Sequence, residues 1–153
     1  MGILQNVLDR FSQTVKAYTG DDVLMQAAVS AASNVIVAEG EVAGDEFETA
    51  LLGMRANPIL QKGYDTLMLE EGLYEGIARA RTRAGRVENL RRIAAIADRP
   101  EDQRQNVLLI AADVADHEGI SEIEDKALTE IAAALSVDKA TLLQTARVLP
   151  SAS

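Results

Sequence analysis

Two short stretches of this chain crowd carboxylates around a glutamate–glycine pair. Glu39, Glu41, Asp45, Glu46 and Glu48 surround Glu39-Gly40, and Asp113, Asp116, Glu118, Glu122, Glu124 and Asp125 surround Glu118-Gly119. Neither stretch contains a lysine or an arginine. A glutamate just before a helix-ending glycine sits at the negative end of the helix dipole, a placement that costs about 0.3–1 kcal/mol. The acids that open the next helix sit at the favourable end. Two chemistries fit this pattern. A hard divalent cation would relieve the repulsion, and oxygen-only donors suit Ca2+ or Mg2+. Equally, the acids can be caps and solvated turns, with Glu39 and Glu118 accepting backbone N–H bonds across the turn. An EF-hand is excluded. Counted from Glu39 the sixth residue is Gly44 but the twelfth is Ala50, and counted from Asp116 these positions are Ser121 and Ala127. Counted from Asp113 the twelfth is Glu124, but the sixth is Glu118 where glycine is required.

The second charged group is basic. Arg79, Arg81, Arg83, Arg86, Arg91 and Arg92 lie close together and only Glu88 offsets them. Such a cluster suits a phosphate, a headgroup or an acidic protein partner, or else a solvated face that balances the acidic turns. His117 is the one histidine, and beside Glu118 at a helix end it reads as a dipole-stabilised surface residue before it reads as a ligand. No catalytic set is visible: there is no phosphate loop, no nucleophile elbow and no histidine-paired serine. With no cysteine, thiol nucleophiles, Cys-ligated zinc and disulfides are excluded.

The whole chain has 153 residues and a formal net charge of −9, with 48% apolar and 25% charged residues. That length and composition suit one globular domain over 1–153 with a core of its own. The charge argues against nucleic acid as a partner, and 3% aromatics are too few for a base-stacking platform. Eleven of the 24 acids lie in 39–48 and 113–125, and six of the 15 basic residues lie in 79–92, so the charge is polarised. No signal peptide or membrane-spanning run is visible, which suggests a cytoplasmic protein. Met1-Gly2 lacks the usual Ser or Thr at position 6, where Asn6 stands, so N-myristoylation is not expected.

Helical spacing positions these charges, and the expected class is all-α, a bundle of about seven to eight helices. Ile3, Leu4, Val7, Leu8, Phe11 and Val15 form the stripe of an N-terminal amphipathic helix within 1–20. Its polar face has few bases, so packing on the core is preferred over lying on a membrane. Val23 to Ala38 is nearly uncharged and reads as a central buried helix. Asp45 and Glu46 open a helix with Phe47, Leu51, Leu52 and Met54, which Asn57-Pro58 ends. A turn over Ile59 to Lys62 leads to a helix over 64–83 with Leu67, Leu69, Leu73, Ile77 and Ala80 as its apolar positions. Gly85 is expected to separate this from a helix over 86–97 whose Val87, Leu90, Ile93, Ala94 and Ala97 face inward. Asp98-Arg99-Pro100-Glu101 reads as a capped restart for a helix over 100–117 carrying Val107, Leu108, Ile110, Ala111 and Val114. Ser121-x-x-Glu124 is a capping box for 121–135. Asp138 caps a last helix before Pro150, and 148–153 is a short tail.

The two glutamate–glycine turns match at a constant offset of 79 residues, which also aligns Ala32 with Ala111 and Val35 with Val114. Apolar helix, Glu-Gly, four residues and an acidic helix start follow in the same order twice, an internal pseudo-two-fold duplication. In these turns, in Val114-Ala-Asp-His-Glu-Gly-Ile-Ser-x-x-Glu124 and in the Asp98-Arg99-Pro100-Glu101 restart, the chain resembles the TerB family of tellurite resistance proteins over roughly residues 5–147. The related domain of the membrane-anchored co-chaperone DjlA is a more distant likeness. Glu-Gly stands here where Asp-Gly is more usual, one methylene longer. The resemblance implies an all-helical TerB-like domain and a role in tellurite or chemical-stress resistance. It also implies an integral membrane partner of the TerC kind, met at the inner face of the cytoplasmic membrane by peripheral association. It further implies a divalent cation, Ca2+ before Mg2+, held by Glu39, Asp45, Glu46, Glu118 and Glu124. Arg79, Arg81, Arg83, Arg86, Arg91 and Arg92 are then the partner-binding set. Without thiols the chain cannot reduce tellurite, so an acidic, metal-responsive adaptor or sensor docking on that membrane partner is expected, not an enzyme. A metal-free interaction scaffold with polarised acidic and arginine-rich faces is the alternative.

Overall fold

Asp21 accepts the Leu24 N–H at 3.1 Å and so opens α1 (Asp22–Ile36), the most buried helix of the described chain. The computed structural model describes residues 20–40, 44–116 and 119–145. The expected helix within 1–20, His117, Glu118, Glu41 and the 148–153 tail lie outside the described residues. After α1 come α2 (Gly44–Ala56), α3 (Pro58–Gly63), α4 (Thr66–Ala80) and α5 (Arg83–Ala94). Then follow α6 (Glu101–Ala115), α7 (Glu122–Leu135) and α8 (Lys139–Thr145), so the described regular structure is entirely helical.

α1 is the hub, packing against α4, α5 and α6, while α2 lies on α6 and α7 joins α5 to α6. Its alanines Ala27, Ala28, Ala31 and Ala32 are fully buried, and their small side chains let three neighbours approach at once. Gly76 of α4 belongs to the same close approach: a Cβ there would collide with Ser33 Oγ of α1. Leu24, Leu69, Leu73, Ile93, Ile96, Leu108, Leu128 and Ile131 fill the space between helices without reaching solvent. Each such side chain is stabilised by about 1.5–3 kcal/mol relative to exposure.

Several local expectations hold. α2 ends at Ala56, before Asn57-Pro58. Asn57 then caps α3 through the Ile59 and Leu60 N–H groups at 2.9 and 3.1 Å, with Pro58 in the first turn, a helix start that the break did not announce. The segment after Pro58 is a short helix, not only a turn. Both arms of the Ser121–Glu124 capping box form, at 3.2 and 3.1 Å, and Asp138 accepts the Thr141 N–H at 3.1 Å. Val107, Leu108, Ile110, Ala111 and Val114 are all buried.

Other expectations are corrected. Gly85 does not divide α4 from α5. Thr82 does, accepting the Gly85 N–H at 3.0 Å, and Gly85 lies inside the first turn of α5. A Cβ at Gly85 would collide with the Arg79 carbonyl, so glycine serves close approach here. Asp98 supplies no cap: Pro100 is the N-cap of α6 without a side-chain bond, and Glu101 and Asp102 meet the dipole in the first turn. Val87, Ala94 and Leu67 are exposed, because α5 and α4 each pack on α1 along a narrower stripe than their apolar residues span.

Candidate functional site

The first glutamate–glycine turn grows out of the end of α1. Val37 and Ala38 donate to Ser33 and Val35 carbonyls at 3.1 Å each, and Gly40 donates to the Val37 carbonyl at 2.9 Å. Gly40 has φ +88°, the left-handed conformation that reverses the chain without steric penalty only for glycine. Glu39 is exposed. Across the turn, Asp45 and Glu46 stand in the first turn of α2, Asp45 exposed and Glu46 half-buried. The Asp45 carbonyl accepts the Thr49 hydroxyl at 2.8 Å.

The second turn leaves α6 at Asp116, whose N–H donates to the Ala112 carbonyl at 3.0 Å. Gly119 has the same φ of +88° as Gly40. Beyond it the chemistry differs. Glu124 is buried, and its Oε1 accepts the Ser121 N–H as the return arm of the capping box. Asp125 is paired with Lys139 of α8 at 2.6 Å, and Lys139 also donates to Thr129 at 2.9 Å. The 113–125 stretch is therefore without a base only along the chain; in space α8 supplies one. Partial burial, followed by the Asp116 charge, raises the Asp113 carboxyl above the usual aspartate range.

The structure thus brings Glu39, Asp45 and Glu46 to the ends of one helix pair and Glu124 to the start of another, while Glu118 lies outside the described residues. Among the described residues no three His, Asp or Glu side chains gather into a group that would hold a metal ion. Glu124 already serves a structural bond.

The six arginines divide into two sets. Arg79 Nε donates to Asn89 Oδ1 at 2.7 Å and Arg92 Nη1 donates to Gln26 Oε1 at 2.6 Å. Asn89 in turn donates to Asn34 Oδ1 at 2.9 Å and to the Gly76 carbonyl at 3.1 Å. Asn34 and Asn89 are buried, so this chain of bonds ties α5 to α1 and α4 while satisfying polar groups that would otherwise be stranded. Desolvation, then the positive charge of Arg92, lowers the Arg79 pKa below the ordinary arginine value. Arg91 and Arg92 share Glu88 at 2.8 and 3.3 Å. Arg81, Arg83 and Arg86 are exposed, and among the described residues none of them forms an ion pair; Arg86 donates to the Ala80 carbonyl at 3.2 Å.

Sequence reasoning did not find the Gln26–Asn34–Asn89 network. The available signal was two amides, Gln26 and Asn34, inside a helix of mostly small and apolar residues. It also did not find the Asp21–Arg99 pair, in which the guanidinium donates to both carboxylate oxygens at 2.6 and 3.1 Å. Among the described residues no helix is long and apolar enough to cross a membrane. Comparison with protein-family models, curated proteins and solved structures finds no match.

Proposed function

We propose that the chain is a non-enzymatic helical adaptor in a tellurite or chemical-stress response, of the TerB kind. In this reading it docks on an acidic surface of a protein partner, of the TerC kind, at the inner face of the cytoplasmic membrane. The observation that carries the adaptor reading is the division of the arginines. Arg79 and Arg92 are spent on bonds to other side chains and Arg86 on the Ala80 carbonyl, while Arg81 and Arg83 project from a protein of net charge −9 without an ion pair among the described residues. Exposed guanidinium groups on an otherwise acidic protein set the orientation of an approaching partner and speed its encounter. In this reading Glu124 has a structural part, since its buried carboxylate is engaged in its capping box.

A second reading adds a cation response. Gly40 and Gly119 share a φ of +88°, and nothing lies within 4 Å of where their Cβ atoms would be, so both turns are open on that side. Ca2+, and after it Mg2+, would then draw on Glu39, Asp45 and Glu46 in the first turn and Glu118 and Glu124 in the second. Two measurements separate the readings. Calorimetric titration of Ca2+, Mg2+ and Mn2+ is set beside a Glu39→Gln/Glu118→Gln variant, and tagged chain is used to recover cross-linked membrane partners. The metal-free adaptor predicts that the double Gln variant recovers the same partners and an Arg81→Glu/Arg83→Glu variant loses them. Recovery of no partner by the parent chain would end the adaptor reading. Saturable metal binding that the Gln variant abolishes, together with loss of its partners, would favour the second.

A further inference from the structure

α5 and α7 pack side by side against the end of α1 and leave a groove of about 480 Å3 between them. Its two walls have the same spacing. α5 contributes Arg83, Arg86, Val87 and Leu90, and α7 contributes Ile123, Lys126, Ala127 and Glu130. Both are i, i+3, i+4, i+7 sets, one helical face over about two turns or 10 Å. Asn34 of α1 and Ala38, in the turn just after it, line the groove as well.

Val87 and Ile123 are each 56% exposed at this groove, although both are aliphatic. Leu90 and Ala127 lie half-buried beneath them. Three of the four charged lining residues are basic, in a chain whose net charge is −9. Two neighbouring ridges of side chains with aliphatic residues between them are a surface into which the ridge of a third helix packs. We propose that the groove receives one amphipathic helix of a protein partner, aliphatic on the face that enters and acidic along its flanks. The aliphatic face covers Val87 and Ile123, and the flanking carboxylates meet Arg83, Arg86 and Lys126. This is the helix-in-groove mode of recognition, anchored at i, i+3, i+4 and i+7. A flat anionic bilayer fits less well, because the apolar residues lie between the helices and Glu130 would face the headgroups. The inference rests on the adaptor reading and names the chemistry of the docking segment.

The test uses the full chain and a synthetic helical peptide of about 14 residues, leucines at i, i+3, i+4 and i+7 and glutamates beside them. Fluorescence anisotropy is expected to show saturable binding that weakens in about 0.5 M salt. Val87→Asp/Ile123→Asp and, separately, Arg83→Glu/Lys126→Glu are each expected to weaken it about tenfold or more. Exchange of the peptide glutamates for lysines is expected to do the same. Amide shift mapping on the unsubstituted chain, which does not depend on any variant folding, is expected to perturb residues 83–90 and 123–130. No binding at about 1 mM peptide, shifts confined to other surfaces, or binding that both variants leave unchanged would overturn the proposal. So would a groove that ignores the peptide and whose resonances shift instead with vesicles of phosphatidylcholine and phosphatidylglycerol. If the peptide fails while cross-linked partners are still recovered, the groove is wrong and the adaptor reading stands.

Discussion

The α1–α2 and α6–α7 halves share a sequence pattern but use their carboxylates differently. Each has a central helix, a glycine at φ +88° and an acidic helix start. At the beginning of the central helix the halves diverge: Asp21 caps α1 with a side-chain bond, whereas α6 starts at Pro100 without one. They diverge again after the turn. In the second half Ser121 and Glu124 close a capping box, and Lys139 neutralises Asp125. The residue 79 positions before Ser121 is Val42, whose side chain can accept no such bond. The acids of the second half are thus partly consumed by structure, and the lesson is that a repeated backbone geometry does not carry a repeated chemistry with it.

The sharpest test of the shared geometry is the pair of glycines. Gly40→Ala and Gly119→Ala should each lower stability by about 1–2 kcal/mol, because alanine pays a steric penalty at positive φ. Denaturant unfolding of the two variants should give losses that agree within error; a loss in one and none in the other would break the equivalence. Next in size is the cap that distinguishes the halves. Ser121→Ala should cost about 1 kcal/mol in the same assay, while Val42→Ala should cost no capping energy. An unchanged midpoint for Ser121→Ala would mean the box contributes nothing net.

The helix starts can be compared through pH. Asp21 is held below the ordinary aspartate range, first by its hydrogen bonds from Arg99. Its contribution is therefore complete above the unfolded-state pKa and is lost as pH falls through the lower folded-state value. Asp21→Asn keeps an N-cap and removes the charge, so it should cost up to about 1 kcal/mol at neutral pH. Parent and variant should converge in acid, and a constant difference across the titration would show that the ion pair is not the cause. The smallest effect, of opposite sign, belongs to Asp113. Its folded-state pKa is raised, so its ionised form opposes folding once pH exceeds the folded value, and the penalty is absent below the unfolded value. Asp113→Asn should stabilise slightly at neutral pH and not in acid, which thermal melts at two pH values would register.

Much of the fold was legible because its signals are local. Asn57-Pro58 ends α2 as its order implies, and Asp138 and the Ser121–Glu124 box act over three residues with each bond present. The break at Gly85 was misread because glycine serves two purposes. Here it admits the Arg79 carbonyl, and Thr82, a weaker signal in sequence, makes the start. For the candidate site, the arginine cluster was legible as a run of charge, but its division was not. Arg79 and Arg92 turn inward because Gln26 and Asn89 wait for them, and that depends on α1 lying against α5.

The order of apolar and capping residues by itself determined an all-helical chain, the helix starts at Ser121 and Asp138 and the two glycine reversals. These follow from hydrogen bonds and side-chain spacing within one or two turns. Only the tertiary structure decided which charges are spent and which remain. It paired Asp21 with Arg99 across 78 residues and Arg92 with Gln26 across 66, and it left Val87 and Ile123 exposed above a shared groove. Burial and ion pairing depend on which helices meet, and that is set by the packing of small residues on α1, which no periodicity along a single helix encodes.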